Sequence, residues 1–299
     1  MFQIEHPETL NIDKLNHALR EALSPVSGLL RQKSYHHLCT ATFKQTIVGI
    51  GISWGNEFHP HGERIAIITD PHITQQKELT ESLFHKLKRH LQTERYAHAM
   101  WSFNGDNDIL NKVAVHNHFK LVRITYMPVL QIESVLEDLN KVDEAENLIP
   151  LEEVITQPEL KRALFQLIKE NYTATHLDSP VAEEPLAVWE KTLLDDSPDL
   201  KRSYIQFTDR VTGYVMLHPV SEQEVEVGWA GVGESQDLGL LQQIMKKQLI
   251  ELKTRGFSKV TPEVDTTSHF AMSLFSLTDL KKEPALNTYQ LSFHKGDPK

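Results

Sequence analysis

The chain repeats one unit, and the repeat limits what it can become. A strand pattern spans residues 48–52 around Gly49 and returns at 212–216 around Gly213, 164 positions later. Each copy continues with a loop, a second strand (64–69; 224–229) and a long helix. The first helix carries Leu79, Leu83, Phe84, Leu87 and Leu91, the second Leu241, Ile244, Met245, Leu249 and Leu252. Apolar residues three and four apart form one stripe, so each helix is built to lie on a sheet. Strands at 101–104 and 260–264 follow, each leading into a short helix, and Phe119 still matches Leu280 at an offset of 161. So steady a spacing predicts a duplicated α/β (α+β) domain, helices covering a mixed sheet in each copy.

The boundary is expected between Gln131 and Pro150. Residues 132–139 read as a short acidic helix and 140–147 as a polar connector, giving domains 1–131 and 150–299 joined by 132–149. The second domain opens with helices at 157–171 (Leu160, Leu164, Leu167, Ile168) and 185–194 (Leu186, Trp189, Leu193), separated by the polar loop 173–184. Pro158 suits a first helical turn. The first domain opens with a helix over 10–23, aligned on Leu15, Leu19 and Leu23 and capped by Asn11 or Asp13, then a hairpin of 38–43 and 47–52.

Several function classes drop out. Net charge is −10 and basic residues form no stripe, which excludes a nucleic-acid surface. The longest apolar runs are short strands such as 65–68, so no span of a bilayer is expected, and the first ten residues have no signal-peptide pattern. A single cysteine, Cys39 in an apolar run, forms no internal disulfide, fits the cytoplasm and reads as a buried thiol. The pairs His36–His37 and His59/His61 lack a defined third ligand, so no metal is expected.

Residues 224–249 carry the chemistry. They read as strand, short turn and helix, and the open N-terminus of a helix offers free amides to a diphosphate. The turn Gln236-Asp-Leu-Gly239-Leu-Leu241 resembles the Q/R-x-x-G-x-G/A loop of the GNAT N-acetyltransferases. The segment 268–280 is similar to that family's N-x-x-A-x-x-L-Y-x-x-x-G-F helix, with Ala271 and Leu274 in register, and Asn107 and Phe119 hold its outer positions in the first copy. The order of elements resembles the tandem GNAT proteins, mycothiol synthase relatives among them.

That resemblance implies two GNAT-like domains, each a twisted sheet with helices on both faces, and acetyl-CoA as acyl donor. The catalytic domain would be the second. Its cofactor-binding residues would be Ala230 and Val232 on a split central strand, and Gln236, Leu238, Gly239 and Leu240 in the loop. Glu226, or its neighbour Glu224 on the same strand face, is the expected base, and Tyr289 the expected acid, since Phe275 stands where the family often has tyrosine. Tyr172, His176 and Trp189 fall where the acceptor is covered. The partner is a small-molecule or peptide amine, and a homodimer is compatible with the sequence. Leu241, expected over the loop mouth, together with Glu234, Asp237 and Phe275, supports an alternative: an inert GNAT-derived binding or scaffold protein.

Overall fold

A computed structural model of the chain describes residues 2–93, 96–233 and 237–293. Two compact units emerge. The first comprises Met1–Arg123, Asp178–Ala182 and Leu286–Lys299, the second Ile124–Leu177 and Glu183–Ala285.

The first unit runs β1 (Gln3–Glu5), α1 (His17–Ala22), α2 (Ser27–Gln32), β2 (His37–Phe43), β3 (Thr46–Trp54), β4 (Gly62–Thr69), α3 (Gln76–Thr93), β5 (His98–Asn104), α4 (Asp108–His116) and β6 (Lys120–Tyr126). The chain continues with β7 (Leu130–Gln131), α5 (Ile132–Asp138), β8 (Leu148–Pro150), α6 (Leu151–Val154), α7 (Pro158–Thr175) and α8 (Leu186–Asp195). It ends with β9 (Tyr204–Phe207), β10 (Val211–Pro219), β11 (Glu224–Val232), α9 (Gly239–Thr254), β12 (Lys259–Pro262), β13 (Val264–Asp265), α10 (His269–Leu274) and β14 (Ala285–Ser292).

Strand order in the first unit is β1-β2-β3-β4-β5-β14-β6, and in the second β7-β12-β11-β10-β9-β8. Each sheet has a parallel pair at the same point of the repeat, β4 with β5 and β11 with β12. The strand β14 pairs along its length with β5, from Leu286 opposite Asn104 to Ser292 opposite His98. The expected boundary puts everything after residue 150 in one domain, whereas residues 178–182 and 286 onward belong to the first unit. The two differ because a strand's local pattern says nothing about which sheet receives it.

The two helical stripes fold as their spacing requires. Leu79, Leu83, Phe84, Leu87 and Leu91 of α3 are all fully buried, and Phe84 stacks on Trp101 of β5 with ring planes 5° apart. The corresponding five residues of α9 are buried under the second sheet. Each such side chain contributes about 1.5–3 kcal/mol by leaving water. The short helices α4 and α10 begin alike. Asn107 Oδ1 accepts from the Leu110 amide at 3.0 Å, and Ser268 Oγ from the Ala271 amide at 3.2 Å, so the repeat extends to its caps.

Three local expectations change. Residues 10–23 are not one helix: Asn11 caps a single 3-10 turn, Ile12–Lys14, and Asn16 then accepts from the Leu19 amide and starts α1 afresh. Residues 132–149 are not a connector, because Ile132, Val135 and Leu139 are buried in the second core and β8 pairs with β9. The strand expected at 260–264 is two: β12 stops at Pro262, and Val264 and Asp265 pair instead with Tyr126 and Thr125.

Candidate functional site

The second unit contains a split in its sheet. Along one edge β11 pairs with β10 from end to end, but on the other it meets β12 only from Glu224 to Val227. The split opens at a bulge, where Leu217 faces Val227 and Met216 faces Trp229, leaving Gly228 without a partner on β10. Beyond it the Gly233 amide donates to the Thr212 carbonyl of the β10 side at 3.0 Å. Amides alternate in direction along a strand, so those of Ala230 and Val232 turn the other way, into the split.

The bulge also turns side chains. Val225 and Val227 point into the α9 core, as do Val232 and Ala230, whereas Trp229 and Gly231 face α7. Asn171 of α7 donates through Nδ2 to the Tyr214 hydroxyl at 3.4 Å, and both atoms close over Gly231. A Cβ there would lie 2.2 Å from Asn171 Nδ2 and 2.7 Å from the Tyr214 hydroxyl, so any larger residue must displace that pair. Burial pushes the Tyr214 phenol well above its ordinary value, and it stays protonated.

The paired acids separate. Thr261 Oγ1 donates to Glu224 Oε1 at 2.6 Å, which ties that carboxylate to β12. Glu226 is half-buried and sits opposite His218 on β10. The His218 ring lies over Gly228, 2.6 Å from where a Cβ would be, and its Nε2 is 3.3 Å from Asp196 Oδ2 at the end of α8. Trp229 Nε1 donates to the same Asp196 oxygen at 3.4 Å. Tyr172 stacks on His176 at 3.7 Å and sits 5.3 Å from Trp229, while Trp189 is 1% exposed, a core side chain packed edge-on to Tyr172.

His218, Asp196, Asn171 and Trp229 are absent from the sequence-derived site. Alternation along β10 does put His218 on the face of Tyr214 and Met216, but only the fold shows what stands opposite. Burial lowers the His218 pKa, with Asp196 and Glu226 pulling it back up. In the unfolded chain the imidazole titrates near 6.5, so there it binds its proton first. Stability from the neutral ring is therefore complete above about pH 6.5 and is lost as pH falls below it. The urea midpoint is expected to fall between pH 7.5 and 5.5, and less steeply for His218→Gln than for the parent chain.

The mouth of α9 is not open as expected. Asp237 Oδ1 accepts from the Gly239 amide at 2.8 Å, its carbonyl takes the Leu240 amide at 3.0 Å, and the Leu238 carbonyl takes the Leu241 amide at 3.1 Å. Thus the Gly239 and Leu240 amides already have internal partners, and an exposed carboxylate stands where a diphosphate would. Leu241 does not obstruct the mouth: it points into the core, where the helical phase of Ile244 and Met245 carries it. Leu240 is buried over Gly213, Leu238 is half-buried against the core, and Gln236 lies outside the described residues. Asp237→Asn keeps the cap and removes the charge. It is expected to tighten coenzyme A binding by about 1 kcal/mol, roughly fivefold, in calorimetric titration.

The matching turn of the first unit is sealed. Asp70, 7% exposed, accepts from Asn16 Nδ2 at 2.8 Å and from the His72 amide at 2.9 Å, and its carbonyl accepts from Gln76 Nε2 at 3.2 Å. Tyr289, the expected acid, lies in the first unit, whereas Glu226 lies in the second. It stacks on Phe103 with planes 9° apart and donates to Asn111 Oδ1 at 2.9 Å. The physical reason is β14 itself, which carries the residue into the first sheet. Among the described residues no group of three or more His, Cys, Asp or Glu is placed to hold a metal, and no helix is long and apolar enough to cross a membrane.

No protein-family model matches the chain, and no curated protein does. Solved structures do. A GCN5-related N-acetyltransferase from Sphaerobacter thermophilus aligns over 100% of this chain and 98% of its own, at TM-score 0.62 and 11% identity. A tandem GNAT protein from the clavulanic acid biosynthesis pathway aligns over 99% and 100%, at TM-score 0.57 and 10% identity. A glucosamine N-acetyltransferase region of a fungal multi-domain β-N-acetylglucosaminidase aligns over 97% of this chain and 38% of that one, at TM-score 0.62 and 12% identity. The chain has the tandem GNAT fold.

Proposed function

We propose that this chain is a tandem GNAT N-acyltransferase that uses acetyl-CoA, with the second unit catalytic and the first structural. The observation that carries the reading is the split beside β11: an unpaired strand edge with two amides directed into it. Such an edge fits the alternating amides of a pantetheine arm, which would add as a short strand and bond to the main chain around Ala230 and Val232. The helix mouth fits a diphosphate once the Asp237 carboxylate turns out, and Asp237 is exposed and free to turn. Bound there, acetyl-CoA supplies its acyl group as an activated thioester.

The residues of the chain supply the rest. Glu226 takes the proton from the acceptor's ammonium, leaving a lone pair on nitrogen. The amide of Ala230 or Val232 donates to the carbonyl oxygen as it gains charge. Tyr172 and Trp229 wall the acceptor side and exclude water from the neutral amine. The first unit lacks a glycine in its turn and has a buried carboxylate in the corresponding mouth, so it is assigned no coenzyme.

One observation favours a second reading, that of a binding protein derived from this fold without turnover: the Asp237 cap. The two readings part in a thermal-shift titration with acetyl-CoA. At about 100 times Kd the coenzyme should stabilise the chain by roughly 2.7 kcal/mol. No shift at millimolar acetyl-CoA, for the parent and for Asp237→Asn alike, would sink the enzyme reading.

A further inference from the structure

The side of the split that faces α7 and α8 holds negative charge that the protein does not balance. Glu226 makes no hydrogen bond or ion pair with any described residue, and the Asp196 carboxylate, 59% exposed, meets among the described side chains only the His218 and Trp229 rings. No lysine or arginine among the described residues pairs with either. Between the two carboxylates His218 is 8% exposed, and neither of its ring nitrogens makes a hydrogen bond. Its burial keeps it neutral near pH 7, so it offsets neither charge. Against this group stand two aromatic rings, Trp229 and Tyr172, 5.3 Å apart at 31°. Carboxylates beside half-buried aromatic faces are the environment in which an ammonium group is held.

A monoamine would not complete this arrangement. To attack a thioester its single nitrogen must be neutral, and the local charge is then left to solvent alone. We propose, resting on the acyl-transfer reading above, that the acceptor is a diamine or longer polyamine. One nitrogen gives its first proton to Glu226 and attacks the thioester carbon. The C–S bond breaks as the C–N bond forms, and coenzyme A leaves as the thiol, taking the second proton that nitrogen loses, while the other nitrogen remains ammonium against Asp196 and the face of Trp229.

The test needs no coenzyme to begin. Calorimetric titration of the full chain with 1,4-diaminobutane and with n-butylamine should show the diamine binding at least tenfold tighter. Asp196→Asn and Trp229→Leu should each weaken the diamine at least fivefold, and raised salt should weaken it further. Equal affinities for the two amines, or no effect of Asp196→Asn, overturn the assignment. Adding acetyl-CoA separates the two levels. If the diamine binds preferentially and no thiol is released, acyl transfer falls and the diamine site stands. If both amines are acetylated with equal kcat/KM, acyl transfer stands and the diamine assignment falls.

Discussion

Removing residues 286–299 is expected to unfold the first unit, although those residues follow β6 by more than 150 positions. The strand β14 sits between β5 and β6 and is paired along β5. It buries Thr288, Tyr289 and Leu291, with Thr288 Oγ1 2.9 Å from Ser102 Oγ and Gln290 Nε2 donating to the Asp178 carbonyl at 2.5 Å. The two large side chains alone account for about 3–6 kcal/mol of burial. That is comparable with the whole stability of an ordinary domain, about 5–15 kcal/mol. The truncated chain should lose the cooperative transition reported by the Trp101 fluorescence. The point variant Tyr289→Ala should keep the fold at a cost of about 3–5 kcal/mol in urea. A truncated chain with an unchanged midpoint would contradict the placement of β14.

The second large effect concerns Glu226. If it takes the ammonium proton, Glu226→Gln should lower kcat by about 10²–10⁴, the usual range for loss of a general base. The KM for acetyl-CoA should not change, because Glu226 faces α7 and the acyl donor's amides meet the strand edge. Glu224→Gln is the control. Its carboxylate is tied to Thr261, and the substitution should leave the rate within a few-fold. Equal losses in the two variants, or a Glu226→Gln enzyme with the parent's rate, would remove Glu226 from the reaction.

What the sequence shows is largely local. The stripes of α3 and α9 are legible because helical spacing alone decides which residues enter the core, and all ten do. The strand edge at Ala230 and Val232 is legible because the loop after it carries Gly239. Partners made over long distances are not legible. Nothing in the pattern around Tyr289 says that its strand joins the other unit, and nothing around His218 says that Asp196 will meet it. The Asp237 cap falls between these cases. The charge is plain in the sequence, whereas its bond to the Gly239 amide needs coordinates. Leu241 is different again: its helical phase already pointed inward, toward Ile244 and Met245.

The position of β14 has a consequence for synthesis. At about 5–20 residues per second, on the order of 10–30 s separates the emergence of β6 from that of β14. Throughout that interval the nascent first unit exposes an open β5 edge, the kind of edge on which foreign strands add. The second unit, whose segments emerge in between, can mature while the earlier one waits. Birth order and folding order are therefore inverted in this chain, and holdase chaperones should be found on ribosomes that have passed Tyr126 but not yet reached Leu291.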